Sequence, residues 1–269
     1  MSTIQENMLD AYWQLPPISR TLATAAIGLS LPVHFGLLYA GWFIHHPYYL
    51  WQLPPQVWRL VTSFLITGPK LGLIFDTYLL YQYLSQIEAG HPRFQRREDV
   101  AWYLMFISGV ILTTDYILSI TLDVSNYFYL QGLILALAYT VTQDQRGMKA
   151  SFYFITIPAQ LTPYCMMLLN MLFQGPGMLI LQLEGLFAAH LYDFLTRIWP
   201  EFGGGRNLLP TPAFMSRLVQ TPRILQRAHG TAFRPASADS GRATGRTTGA
   251  STGPLPDSWR TRGRGQRLG

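Results

Sequence analysis

The stretch MLILQLEGLFAAHLYDFLTRIW, Met178–Trp199, decides how this chain is read. It is long enough to cross a bilayer, since roughly 20 apolar residues at 1.5 Å each span the hydrocarbon. Yet it carries Gln182, Glu184, His190 and Asp193. An ionisable group at the centre of a membrane helix costs about 2.5–3.5 kcal/mol even on lenient scales, so such residues face protein or water. Gly185 and Ala189 are four apart and form a small-residue face on which another helix backbone can approach closely. The stretch therefore reads as an inner wall of a helical bundle, with its polar atoms turned inward.

Working outward, the rest of the chain agrees. Of 269 residues, 49% are hydrophobic and 13% charged, against about 25% charged in an ordinary soluble domain. Apolar stretches at Arg20–Tyr39, Gly68–Gln86, Asp99–Leu118, Val124–Thr142 and Ala150–Phe173 precede the quoted one. The expectation is an all-α membrane protein, a bundle of six transmembrane helices over 20–199. A segment 1–19 with an interfacial aromatic patch, Met8 to Trp13, comes before it. A tail at 200–269 follows, turn-rich at first and, beyond about Thr221, rich in Ser, Thr, Gly, Ala and Arg and too poor in apolar residues to fold. The apolar part of the second stretch is short and includes Asp76, which implies local thinning of the bilayer. Basic loops (Arg93, Arg96, Arg97; Arg146, Lys149) alternate with loops that lack them, which places the basic loops and both termini in the cytosol. Arg59 and Lys70 then fall on the far side, in a loop dense in Trp, Tyr, His and Pro.

Several chemistries are weak on the residues alone. The serine candidates are Ser30, Ser85, Ser108 and Ser119, and none lies in a Gly-x-Ser-Gly setting, where small residues expose the hydroxyl. An aspartyl mechanism would need Asp76 and Asp193 to share a proton. His45 and His46 are adjacent and diverge, and His34, His91 and His190 have no ligand at i+4, so no metal or other cofactor is expected. Eleven arginines scattered after residue 200, without lysine runs or interleaved aromatics, argue against a nucleic-acid partner and for attraction to anionic lipid. The single Cys165 excludes an internal disulfide. For Trp58-Arg59, an aromatic anchor beside an interfacial arginine accounts for the pair as well as any special role does.

In order along the chain, Trp13-Gln14-Leu15-Pro16-Pro17-Ile18-Ser19-Arg20, Trp58-Arg59, Tyr81-Gln82-Tyr83, Glu88-Ala89-Gly90, Gly185-x-x-x-Ala189-His190-Leu191-Tyr192 and Gly204-Gly205-Arg206-Asn207-Leu208-Leu209-x-Thr211-Pro212 resemble the derlins, which are rhomboid-like membrane proteins. The resemblance covers nearly the whole chain and implies a rhomboid-like six-span bundle. Active rhomboids carry Gly-x-Ser-Gly in the fourth span, where this chain reads Tyr129-Leu130-Gln131-Gly132-Leu133 without serine. Their second-span His-x-x-x-Asn falls on Gly72-x-x-x-Asp76, and the position of their catalytic histidine is Gln182. The resemblance thus implies a pseudoprotease and no catalytic residue. Asp76, Gln82, Gln182, Glu184 and His190 are left as candidates for a substrate path. A residual intramembrane serine protease, or a channel or scaffold, is the alternative.

Derlins are implied to act in endoplasmic-reticulum-associated degradation, moving misfolded client proteins from the endoplasmic reticulum membrane or lumen to the cytosol. The implied partners are a Hrd-type ubiquitin ligase complex, the AAA ATPase known as valosin-containing protein, and further copies of itself or other derlins. The family's ATPase-binding tail motif is matched by Gly263, Gly265, Gln266 and Leu268. Its aromatic position is Thr261, with Trp259 two residues earlier.

Overall fold

The sequence Leu130–Asp144, LQGLILALAYTVTQD, is apolar on every side, and a helix of that kind has to be buried all round. The computed structural model describes residues 9–91, 93–145, 147–152, 155–202 and 207–219, and in it this helix, α4, is the axle of the bundle. Thirteen of its 15 residues are buried. Around it stand α1 (Pro17–His34), α2 (Leu71–Gly90), α3 (Arg97–Leu122), α5 (Thr162–Gln174) and α6 (Pro176–Asp193). α4 packs directly on α2, α3, α5 and α6, while α1 packs on α2. Ile134, Leu135, Leu137, Tyr103, Ile107, Leu84 and Leu181 form the centre of the core.

Two helices are long and apolar enough to cross a membrane among the described residues: α3, and α6 with its continuation to residue 202. α3 exposes Met105, Ile117, Ile120 and Leu122, and α6 exposes Leu183 and Phe187. Those outward faces suit lipid rather than water.

Several expectations change. The second stretch is not short: α2 has 20 residues, about 30 Å at 1.5 Å per residue, because Asp76 and its neighbours stay helical once their polar atoms are met inside. The short helices are α4, with 15 residues, and α5, with 13. They measure about 22 and 20 Å against roughly 30 Å of hydrocarbon. The fold is also not purely helical. Where a helix from Ala150 is expected, Lys149–Phe152 (β1) pairs antiparallel with Ile155–Pro158 (β2), Lys149 opposite Pro158 and Phe152 opposite Ile155. The run Phe152-Tyr153-Phe154-Ile155-Thr156-Ile157 is aromatic and β-branched, the composition that fits a strand. Pro158 then ends it, and Pro163 fits the first turn of α5.

The N-terminal helix covers residues 9–14, and a last helix, α7 (Phe214–Val219), lies against α3. The tail expected to be unfolded beyond Thr221, with Trp259, Gly263, Gly265, Gln266 and Leu268, lies outside the described residues.

Candidate functional site

The backbones of α4 and α6 approach closely at two glycines. A Cβ on Gly185 would overlap the Gly132 carbonyl and reach within 2.9 Å of its Cα, and one on Gly132 would lie 2.9 Å from the Leu181 carbonyl oxygen. Ala189, one turn on, is buried. Gly185 of α6 and Gly132 of α4 thus meet backbone to backbone.

This close seam carries polar groups at its two ends. In the first turn of α4, Gln131 donates to Asp76 of α2 (2.6 Å), which also accepts from the Gly68 amide (2.8 Å), and Gln131 in turn accepts from Asn170 of α5 (3.3 Å). Three helices are joined through one buried amide.

At the end where α4 begins, Asp115 of α3 accepts from the Asn126 amide and side chain (both 2.9 Å) and from the Tyr129 hydroxyl (2.8 Å). Tyr129 also lies 2.9 Å from the Asn126 carbonyl and 2.9 Å from His45 Nδ1. A phenol has one proton, and Asp115 and the carbonyl are both acceptors, so His45 Nδ1 carries its own proton and donates. Burial pushes the His45 imidazole below its usual range. Asp115 pulls it back up, while His46 and Arg59 push it further down. It is a neutral histidine wedged under a loop. Glu184 accepts weakly from Asn126 (3.4 Å) through one oxygen, and its other oxygen has no partner among the described residues. Gln182 is fully buried, and neither of its amide atoms has a hydrogen-bond partner among the described residues.

At the opposite end, charges replace neutral groups. Arg93 bridges Asp144 (3.1 Å) and Asp193 (2.6 Å), and Arg197 reaches Asp193 (2.6 Å) and Asp144 (3.7 Å). Arg197 lies within the wide helical turn Phe194–Ile198, four residues after Asp193, the spacing at which helical side chains pair. His91 Nε2 lies 2.9 Å from Asp144 without hydrogen-bond alignment. Burial lowers the pKa of His91, Asp144 opposes that and Arg93 reinforces it.

The expected path candidates differ in exposure. Asp76, Gln182 and Glu184 are buried, Gln82 is half-buried, and His190 is exposed with Nδ1 2.9 Å from the Tyr139 hydroxyl. Asp76 and Asp193 sit at different levels with separate partners and share no proton. Ser30, Ser85 and Ser119 each donate to a backbone carbonyl, and no serine–histidine hydrogen bond occurs among the described residues.

The first loop separates its Trp-Arg pair into two tasks. Arg59 is buried and donates to the carbonyls of Gly41 (2.6 Å) and Ile44 (2.7 Å) and to Gln56 (2.6 Å), with its guanidinium 4.1 Å from the Tyr49 ring. Trp58 is half exposed and reaches the Trp42 carbonyl at 3.4 Å. Arg59 ties the loop together; Trp58 faces outward. Two further motifs are architectural. Glu88 accepts from the amides of Ile18 (3.0 Å) and Ser19 (2.8 Å) and so caps α1 from α2. Thr211 donates to Asp99 at the start of α3 (2.7 Å), pinning the segment after α6.

The Der1-like family model matches residues 15–213, and both of those pinned segments lie inside that span. The chain belongs to the Der1-like family. Derlin-1 of Bos taurus is 30% identical over 221 residues, 80% of this chain and 83% of the relative. Derlin-1 of Homo sapiens is 29% identical over 221 residues with the same coverage, and Derlin-1 of Arabidopsis thaliana 29% over 223 residues, 79% of this chain and 77% of the relative. This Der1-like chain is a membrane protein, with α3 and the α6 continuation as its long apolar helices. Residues that no motif had singled out, Arg93, Asp115, Asn126, Tyr129 and Gln131, hold its polar interior. Their one sequence signal is being polar inside, or at the edge of, an apolar run.

Proposed function

We propose that this Der1-like protein works without catalysis in endoplasmic-reticulum-associated degradation. It is a multi-pass protein of the endoplasmic reticulum membrane with both termini in the cytosol. It helps misfolded clients reach the cytosol, beside a Hrd-type ubiquitin ligase complex and a valosin-containing-protein-type AAA ATPase. The observation that carries this reading is the family match together with what occupies the positions of a rhomboid protease's catalytic groups. Gln131-Gly132 stands where the serine motif would be, and Asp76 is bonded to Gln131 rather than to a nucleophile. Gln182 stands where the histidine would be. The interior keeps polar atoms as joints between helices.

Bilayer thinning then belongs to α5. With Tyr164, Leu168, Met171 and Leu172 exposed, this 13-residue helix meets lipid directly and leaves about 10 Å of hydrocarbon unmatched, a strain met by thinning. α4 is just as short but never sees lipid. A client crossing beside α5 would meet the thinnest membrane.

The test uses the full chain in cells that lack its natural copy. Deleting 263–269 should abolish pull-down of the ATPase while client turnover slows. Trp58→Ala should slow turnover with the protein level unchanged, whereas Arg59→Ala should lower the level itself, because the loop loses its tie. Labelling of the purified chain by a serine-directed fluorophosphonate would overturn the non-catalytic reading.

A further inference from the structure

Between α1 and α2, on the outside of the bundle, runs an apolar groove of about 440 Å³, lined among others by Arg20, Ala23, Ile27, Leu73, Thr77 and Tyr81. From Arg20 to Ile27 it follows α1 for about 10 Å, at 1.5 Å per residue. Its chemistry is graded along that length. At one end stand a guanidinium and phenols, and at the other only Ile27, Leu73 and Ile74.

Arg20 stands at the mouth as a cation with no ion-pair partner among the described residues. One nitrogen donates to the carbonyls of Trp13 (2.9 Å) and Tyr12 (3.3 Å), and the guanidinium lies 4.4 Å and 5.1 Å from the rings of those residues. No carboxylate pairs with it among the described residues. The nearby Glu88 carboxylate is already engaged by the Ile18 and Ser19 amides. The carbonyl contacts fix the guanidinium in place through one nitrogen and leave its remaining N–H groups for an acceptor. Stacking on Tyr12 and Trp13 places it at the depth such aromatics favour, the membrane interface.

We propose that this groove is a specific site for one anionic glycerophospholipid, its phosphate on Arg20 and one acyl chain laid along Ala23, Ile27, Leu73 and Thr77. A negatively charged headgroup answers the unpaired cation, and the apolar floor answers the chain. A membrane helix would satisfy the floor but leave Arg20 unanswered. A phosphatidylcholine would bring its own cation against Arg20.

The experiment takes the full chain in nanodiscs of phosphatidylcholine, alone or doped with phosphatidylserine or phosphatidylinositol, and counts lipids retained after release by native mass spectrometry. One anionic phospholipid should be retained in preference to phosphatidylcholine. Arg20→Gln should lower that retention about fivefold, the effect of roughly one interfacial charge, and Arg20→Lys should restore most of it. Ala23→Leu and Ile27→Trp fill the groove without touching the Arg20 contacts and should lower retention as far. These two variants carry the test if Arg20→Gln fails to fold. Equal retention of phosphatidylcholine, or anionic retention unchanged in the groove-filling variants, would overturn the site.

Discussion

The two ends of the α4–α6 seam solve one problem with different chemistry. Where α4 begins, Asp115 is held by neutral donors, Tyr129 and Asn126, and the histidine behind them is neutral. Where α4 and α6 end, two arginines and two aspartates form a closed ring of ion pairs. The neutral end costs little desolvation but depends on each proton being in place. The charged end stands at the helix termini, where partial exposure lets water share the cost of the charges. In the first turn of α4 the glycine contact with α6 leaves no room for a side chain. The lesson is that polar residues in this bundle act as joints between its helices.

The comparison can be broken in order of expected effect. Gly185→Leu attacks the seam on which both ends depend, and a side chain driven into the Gly132 carbonyl should cost about 3 kcal/mol or more. Loss of monodisperse protein on size exclusion should follow, while Ala189→Gly should be tolerated. Asp193→Asn comes next. It leaves Arg93 and Arg197 short of their shared partner, and breaking a mostly buried pair costs up to about 3 kcal/mol, reduced here because Arg197 is about one-third exposed. A lowered melting temperature in detergent checks it. Tyr129→Phe removes the hydroxyl that joins His45 to Asp115 and should cost about 1–3 kcal/mol, with the first loop becoming more open to protease.

The smallest effect separates the ends by pH. His45 is held below its ordinary pKa in the folded protein, so on acidification the unfolded chain takes up a proton before the folded one does. Its contribution is full above the unfolded value of about 6.5 and is lost as pH falls below it toward the folded value. His91 is shifted in the same direction, so the melting temperature should fall on the acid side of about pH 6.5. His45→Gln should remove part of that slope. The remainder belongs to His91, and a slope unchanged in both His45→Gln and His91→Gln would mean that neither histidine is held neutral.

How far the sequence could be read follows from the same physics. The inner-wall character of α6 was legible because Gly185 and Ala189 share a face and because Glu184 and Asp193 cannot stand in lipid. The non-catalytic expectation rested on position in the sequence alone. The partner of Gly185 was not, since Gly132 lies 53 positions away in an apolar run where any residue would read as core. Nor was the ring around Asp193, which assembles from a loop and two helix ends. The fifth apolar stretch misled because hydrophobicity does not distinguish a strand hairpin from a helix until the aromatic and β-branched content of Phe152–Ile157 is weighed against Pro158. The second stretch misled in the opposite sense: polar residues shortened its apolar run without shortening the helix.

The most direct test of the account is a translation-arrest chase of a misfolded, membrane-inserted or luminal client in cells with and without this chain. Removing the chain should lengthen the client's half-life, and the full chain carrying Gln182→Ala should restore it, since no catalytic group stands there. A client half-life unchanged by removal of the chain would contradict the account.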